Sequence, residues 1–351
     1  MNTKKKLDMM NQFPNNPDQQ ATLANWRTSP YNKWAFHHVR ELVPSANIQN
    51  NPSQVQNPSY KEFDFSAVNV ELDDQSQVTY DEFLEITDTD ALVVLKDGII
   101  IEERYFKGMT RDTPHILMSV SKSILGLLTG ILIDQKIFKA QDKACAILPE
   151  LTSTAYNEAT IRDLLDMRTG VNFIEDYLAT SGLMIDYRKA TNWNPLGNSE
   201  APSDLRSFYH LLDKKNHPDG QRFNYVSPNS DLLGWIIERS TGERFSDLLS
   251  DLFWKPLGAI MPSYITVDRL GAPRVAGGLC TTAIDLALVG QLFLDNGFTN
   301  GQQILPRNWL QDIQKNGSRD AWLEGNFVEY FPNMDMHYRS KWYVVHGSND
   351  S

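Results

Sequence analysis

"HILMSVSKSILGLLTGILI", residues His115 to Ile133, is the most apolar stretch of the chain, yet Lys122 sits near its middle beside Ser119, Ser121 and Ser123. About 20 apolar residues are enough to span a bilayer, so length alone would permit a membrane helix. The ammonium and the hydroxyl groups within it point instead to the core helix of a soluble protein. That reading poses a second question, because a lysine ammonium taken out of water is costly unless it is paired or gives up its proton.

Ser119-Val120-Ser121-Lys122 answers it chemically. Positions i and i+3 lie one turn apart on one helix face, so the Ser119 hydroxyl and the Lys122 amine fall within hydrogen-bond reach. A serine hydroxyl is a weak nucleophile until a base takes its proton, and a lysine desolvated by apolar neighbours can be that base. The start of a helix adds free N–H groups and a positive dipole end, both suited to a developing oxyanion. By itself S-x-x-K is a short pattern, equally compatible with a snorkelling lysine beside a helix cap. This copy is the only one in the chain.

The remainder of the sequence narrows the classes. With 351 residues, 41% of them hydrophobic, the chain can bury a sizeable core. A formal net charge of −11 argues against nucleic-acid partners. The opening Met1-Asn2-Thr3-Lys4-Lys5-Lys6 is basic, but no apolar segment follows it, so it reads as a solvated tail rather than a signal peptide. Two cysteines, Cys145 and Cys280, make no disulfide framework or metal cluster and suit a reducing, cytoplasmic setting, with Cys280 read as a small core residue. No G-x-S-x-G elbow, Gly-Lys phosphate loop or His-Glu-x-x-His zinc motif is present. No metal or organic cofactor is implied.

Residues 1–75, rich in Asn, Gln and Pro, read as an irregular arm wrapping the domain through Trp26, Trp34 and Phe36. "ALVVLKDGIIIEERYF", from Ala91, reads as a hairpin turning at Lys96-Asp97-Gly98. "TIRDLLDMRTG" (Thr160 to Gly170) has a capping threonine, helical spacing and a closing glycine. Residues 174–222 look like a lid or long ordered loop, in which Tyr187 and Trp193 are candidates to line a substrate pocket. "SDLLGWIIERSTG" (Ser230 to Gly242) and "TTAIDLALVGQLFLDNG" (Thr281 to Gly297) predict further amphipathic helices, and Lys341 to Val345 a last strand.

In their order and separations, "SVSKS", "TIRDLLDMRTGV", "YVSPNSDLLGWIIERSTG" and "AGGLCTTAIDLALVGQLFLDNG" resemble the penicillin-recognising serine hydrolases. The nearest branch is that of class C β-lactamase-like esterases and amidases, including 6-aminohexanoate-dimer hydrolases. The resemblance covers about residues 85 to 345. It implies an α/β (α+β) fold of the β-lactamase/transpeptidase type, a mainly antiparallel sheet flanked by helices. A helical domain would be inserted at about residues 140–270 of a domain spanning 76–351.

The resemblance makes Ser119 the acylated nucleophile, Lys122 its base and Tyr225, opening "YVS", the group that shuttles a proton to the leaving group. Ser227 stands where the β-lactamase version has asparagine and is a candidate substrate contact. The expected substrate is a small ester or amide. Two alternatives stay open here: a β-lactamase or D-alanyl peptide hydrolase, and a non-catalytic ligand-binding module of the same fold. Oligomeric state is not legible.

The family pattern also needs a third element, a strand bearing Lys-Thr-Gly or His-x-Gly. The chain ends "SKWYVVHGSNDS". His346 reads as a turn residue after the Trp342 to Val345 strand, leaving that strand's partner, and a final helix, to a longer version of the protein.

Overall fold

The protein, seen in a computed structural model, is described over residues 9–11 and 14–347. The basic tail at residues 1–6 and the polar end from Ser348 therefore lie outside the described residues.

Val120–Asp134 is helical and buried on nearly every side, as a helix apolar all round must be. Its Ile124, Leu125, Leu127, Leu128 and Leu132 belong to the main core. Two glycines let neighbours come close: a Cβ on Gly126 would stand 2.1 Å from the Ser340 carbonyl oxygen, and one on Gly130 2.4 Å from the Trp309 ring. The indole N–H of Trp309 then donates to the Gly126 carbonyl at 3.1 Å.

Strands Ser45–Ile48, Ser263–Thr266, Leu279–Thr281 and His115–Ile116 lie side by side in that order. All three pairings are antiparallel, with Tyr264 opposite Cys280 and His115 opposite Thr281. The N-terminal arm thus supplies an edge strand of the sheet. It also wraps through aromatics: Trp26 is fully buried in a second cluster with Trp193, Tyr264 and Cys280. The Ala91–Lys96 and Ile99–Tyr105 strands form a two-stranded antiparallel hairpin turning at Asp97-Gly98, both at positive φ. Opposite the sheet the central helix packs on helix Pro228–Thr241, which ends at Gly242 in the left-handed conformation.

Three local readings change. The "TIRDLLDMRTG" helix begins at Thr160 with a reciprocal capping box but stops at Leu165, well before Gly170. Met167 takes φ +54°, and Asp166 turns inward to an ion network. The 174–222 segment is partly helical: Leu183–Ala190 buries Met184, Tyr187 and Arg188 at i, i+3 and i+4, and Asp204 caps a further turn at Leu205–Phe208.

The last strand, Trp342–Val345, has a partner, and it precedes rather than follows it. Met336–Arg339 pairs with it across a Ser340-Lys341 turn, both turn residues at positive φ. His346 is accordingly no turn residue. Its N–H donates to the Asp335 carbonyl at 2.9 Å, and its ring meets His337 Nδ1 at 2.8 Å, extending the hairpin. The partner strand escaped the sequence reading because its buried His337 and half-buried Arg339 look like surface residues until Ile313, Asp166 and Asp312 satisfy them.

Candidate active site

The His115–Ile116 strand feeds directly into the central helix. Met118, at φ +45°, makes the turn, an unfavourable conformation for a side chain with a Cβ that surrounding packing has to hold. That packing is the Trp26 and Trp193 cluster, against which Met118 sits. Ser119 follows as the helix N-cap, already in helical geometry, and its hydroxyl does not cap the helix. The side chains of Thr79, Thr160, Thr282 and Ser318 do cap theirs. The exposed Ser119 is thus left with its hydroxyl free for other partners and its N–H without a partner among the described residues.

Lys122 Nζ donates to Ser119 Oγ at 2.9 Å and to the Ala276 carbonyl at 2.6 Å. The lysine is buried, and loss of solvent pushes its ammonium down to about 8. Glu175 opposes that shift, Arg274 adds to it and Asp231 opposes it. At neutral pH about a tenth of the amine is therefore neutral and able to accept a proton, far more than for an ordinary lysine.

Tyr225 completes the group. Its ring lies 5.0 Å from Lys122 Nζ and stacks on Phe327, with centroids 4.6 Å apart. Burial, and then Glu175, raises the phenol's pKa, while its hydrogen bond with Ser119 pulls the other way. The phenol accordingly stays protonated and can donate.

Ser227 is the N-cap of the Pro228–Thr241 helix, and it too leaves the capping role. Its N–H and its hydroxyl both donate to the Glu175 carboxylate, which also receives the Tyr177 hydroxyl at 3.2 Å. The Ser227 hydroxyl is thus occupied by a side chain. On either side of Glu175 the segment is open to solvent, with Ile174 before it and Tyr177 and Leu178 after it exposed.

The other two pocket candidates are core residues. Tyr187 is fully buried with its hydroxyl against Asp231 and Arg274, and Trp193 donates from its indole to Thr266 Oγ1 at 3.2 Å. Neither presents an open wall to a substrate. Sequence reading missed Glu175, Asp231, Arg274 and the Ala276 carbonyl. For Asp231, in "SDLLGWII", the same sign was present that picked out Lys122, a charge inside an apolar run. Among the described residues no cluster of three or more His, Cys, Asp or Glu is placed to hold a metal ion.

The family model described as Beta-lactamase matches residues 83–330. A 6-aminohexanoate-dimer hydrolase of Paenarthrobacter ureafaciens is 31% identical over 334 residues, covering 95% of this chain and 82% of that protein. A D-aminopeptidase of Brucella anthropi is 26% identical over 176 residues, 48% of this chain and 31% of its own length. Among solved structures, a Bacillus anthracis protein provisionally assigned as a 6-aminohexanoate-dimer hydrolase superposes with a TM-score of 0.83 at 27% identity, covering 93% of this chain and 83% of that one. EstCE1, a hydrolase with promiscuous acyltransferase activity, shares the fold at a TM-score of 0.55 and 17% identity, over 73% of this chain and 78% of its own.

Proposed function

The chain belongs to the Beta-lactamase family and is a serine hydrolase of amide or ester bonds, and on that footing we propose that Ser119 is its nucleophile, Lys122 the base and Tyr225 the proton donor to the leaving group. The observation that carries the assignment is the 2.9 Å contact between Lys122 Nζ and an uncapped Ser119 Oγ.

In this scheme neutral Lys122 takes the Ser119 proton as Oγ attacks the carbonyl carbon. The Ser119 N–H faces the resulting oxyanion at the helix start. When the C–N or C–O bond breaks, the Tyr225 phenol gives its proton to the departing amine or alcohol and regains one from the Lys122 ammonium. Water then attacks the acyl-serine, passing a proton through Lys122 back to Ser119 Oγ. The scheme draws on no metal or organic cofactor.

We take the substrate to be a small linear amide or ester with an apolar acyl chain. Phe327 stacks on Tyr225 and Ile174 adjoins Glu175, which offers apolar surface near the group, and the relative from Paenarthrobacter ureafaciens is named for a 6-aminohexanoate dimer. No helix among the described residues is long and apolar enough to cross a membrane, and the two free cysteines suit a cytoplasmic setting.

The test is a mass measurement on the Ser119 peptide after exposure to a fluorophosphonate probe, alongside hydrolysis of p-nitrophenyl esters and short linear amides. The expected result is one adduct on Ser119, and loss of about 10⁴-fold or more of turnover in Ser119→Ala. Unchanged turnover in that variant would overturn the assignment.

A further inference from the structure

Lys122 is held on its far side by the backbone of one residue, and that backbone is held by one buried carboxylate. Ala276 lies in a tight turn in which the N–H groups of Gly277 and Gly278 both return to the Arg274 carbonyl, at 3.2 and 2.7 Å. The Ala276 carbonyl receives Lys122 Nζ at 2.6 Å, while the Ala276 N–H donates to Asp231 Oδ1 at 2.8 Å. The other oxygen of Asp231 binds the Arg274 guanidinium and the Tyr187 hydroxyl. One carboxylate thus grips the turn at two points, through the side chain of Arg274 and the main chain of Ala276.

The clamp is sealed from water. Asp231 and Tyr187 are fully buried and Arg274 nearly so, and the guanidinium lies 4.4 Å from the Tyr187 ring and 4.9 Å from that of Trp193. A lone core ion pair usually contributes little net stability over apolar packing, so its presence beside the base calls for another role.

We infer that Asp231 is a positioning residue for Lys122: it sets the Ala276 carbonyl that orients the amine, and its charge offsets that of Arg274 where the amine protonates. This rests on the assignment of Ser119 and Lys122 made above. The groups that face Lys122 are Tyr225 and Asp231 from the segment opening the 228–241 helix and that helix itself, Glu175 from the segment before 183, Arg274 from the turn, and Lys341 from the terminal hairpin. Among them Arg274 and Asp231 act as a pair of opposite sign. Removing the carboxylate's charge alone leaves the guanidinium pressing on the amine, so the amine stays neutral to lower pH.

The experiment is the pH profile of kcat/KM for a p-nitrophenyl ester, with the rate of fluorophosphonate labelling at Ser119 as a second readout. Asp231→Asn keeps an acceptor for the Ala276 N–H and removes the charge. The acidic limb should move down by about one pH unit. Arg274→Met added to it removes the opposing charge and should bring the limb back to within about 0.3 unit of the wild-type position.

Placing Ala instead of Asn at 231 in that Arg274→Met background deletes the acceptor, and labelling should slow about tenfold with the limb unmoved. Circular dichroism establishes folding, and if Asp231→Asn does not fold, the two double variants decide. An unmoved limb in folded Asp231→Asn, or equal labelling rates in the two double variants, overturns the inference and leaves Ser119 and Lys122 assigned. A wild-type protein that labels elsewhere than Ser119 overturns both.

Discussion

Lys122 and Lys341 are both fully enclosed lysines, and they lie close enough for the charge of Lys122 to press on that of Lys341. Their surroundings differ. Lys122 reaches a hydroxyl at an open helix start, with Glu175 and Asp231 near enough to favour its charge. Lys341 sits in a hairpin turn with φ +73°, donating to the Leu164 carbonyl at 2.6 Å and meeting the Met167 sulfur at 3.5 Å. Burial lowers both, Lys341 well below the ordinary lysine value. Burial therefore favours the neutral amine in both, and only the neighbour decides whether that amine does chemistry.

The largest effect should separate the two. Lys122→Met should lower kcat/KM on esters by about 10³-fold or more, since the serine then has no base. Lys341→Met should leave it within about threefold and, by removing a buried amine that has to give up its proton on folding at neutral pH, raise stability by about 1 kcal/mol. Steady-state kinetics and thermal melts on both variants check the contrast. Equal losses of activity would show that the pair acts as a unit.

Next in size is Tyr225→Phe, which touches only the Lys122 end. It keeps the ring against Phe327 and loses the proton donor, so kcat should fall about 10²-fold with KM little changed. A rise in KM of the same order with kcat unchanged would assign the hydroxyl to ground-state binding instead.

The pH dependence follows from the same contrast. Activity that needs neutral Lys122 should rise with pH along an acidic limb centred near 8. Stability should move in the same direction. Below about 8 the folded and unfolded chains both hold the proton, and the cost of burying the ammonium is present in full. Between 8 and the ordinary lysine value of 10.5 the folded protein has released it and the unfolded chain has not, so stability climbs with pH. Urea titrations at pH 7.5 and 9.5 should differ by about 1 kcal/mol or more, and Lys122→Met should reduce that difference.

The contrast also explains what the sequence could disclose. Lys122 was legible because a charge in an apolar helix is out of place and a serine stands one turn before it. Lys341 was not, because lysine in a turn is ordinary and its burial arises only when the hairpin docks beneath the central helix. Asp166 makes that docking, accepting from the Ser340 N–H at 2.9 Å and from Arg339 at 2.8 Å, and nothing local announces it. The 91–105 hairpin was legible from its turn, whereas the four-stranded sheet, with strands of two to four residues and two of its three pairings made across 150 or more positions, carries no local pattern. Glu175 shows the limit most sharply: its partners Ser227 and Tyr177 assemble only when the 174–182 segment folds over the neighbouring helix start.

The smallest effect on activity should come from a change between the two lysines. Gly126 lies one turn beyond Lys122 on the central helix, where an added Cβ would stand 2.1 Å from the Ser340 oxygen and 3.2 Å from the Lys341 Cβ. The clash is with main chain at the hairpin turn, so the hairpin has to retreat, and overpacking of this kind costs about 1–3 kcal/mol. The Ser119, Lys122 and Tyr225 contacts are made one turn nearer the helix start, with the hairpin turn touching that turn through the Ser123 hydroxyl on the Lys341 carbonyl at 3.0 Å. Gly126→Ala should therefore unfold at lower urea concentration while keeping kcat/KM within about threefold and the acidic limb in place. If the limb moves instead, the coupling between Lys341 and Lys122 runs through the helix, and the terminal hairpin belongs to the catalytic apparatus.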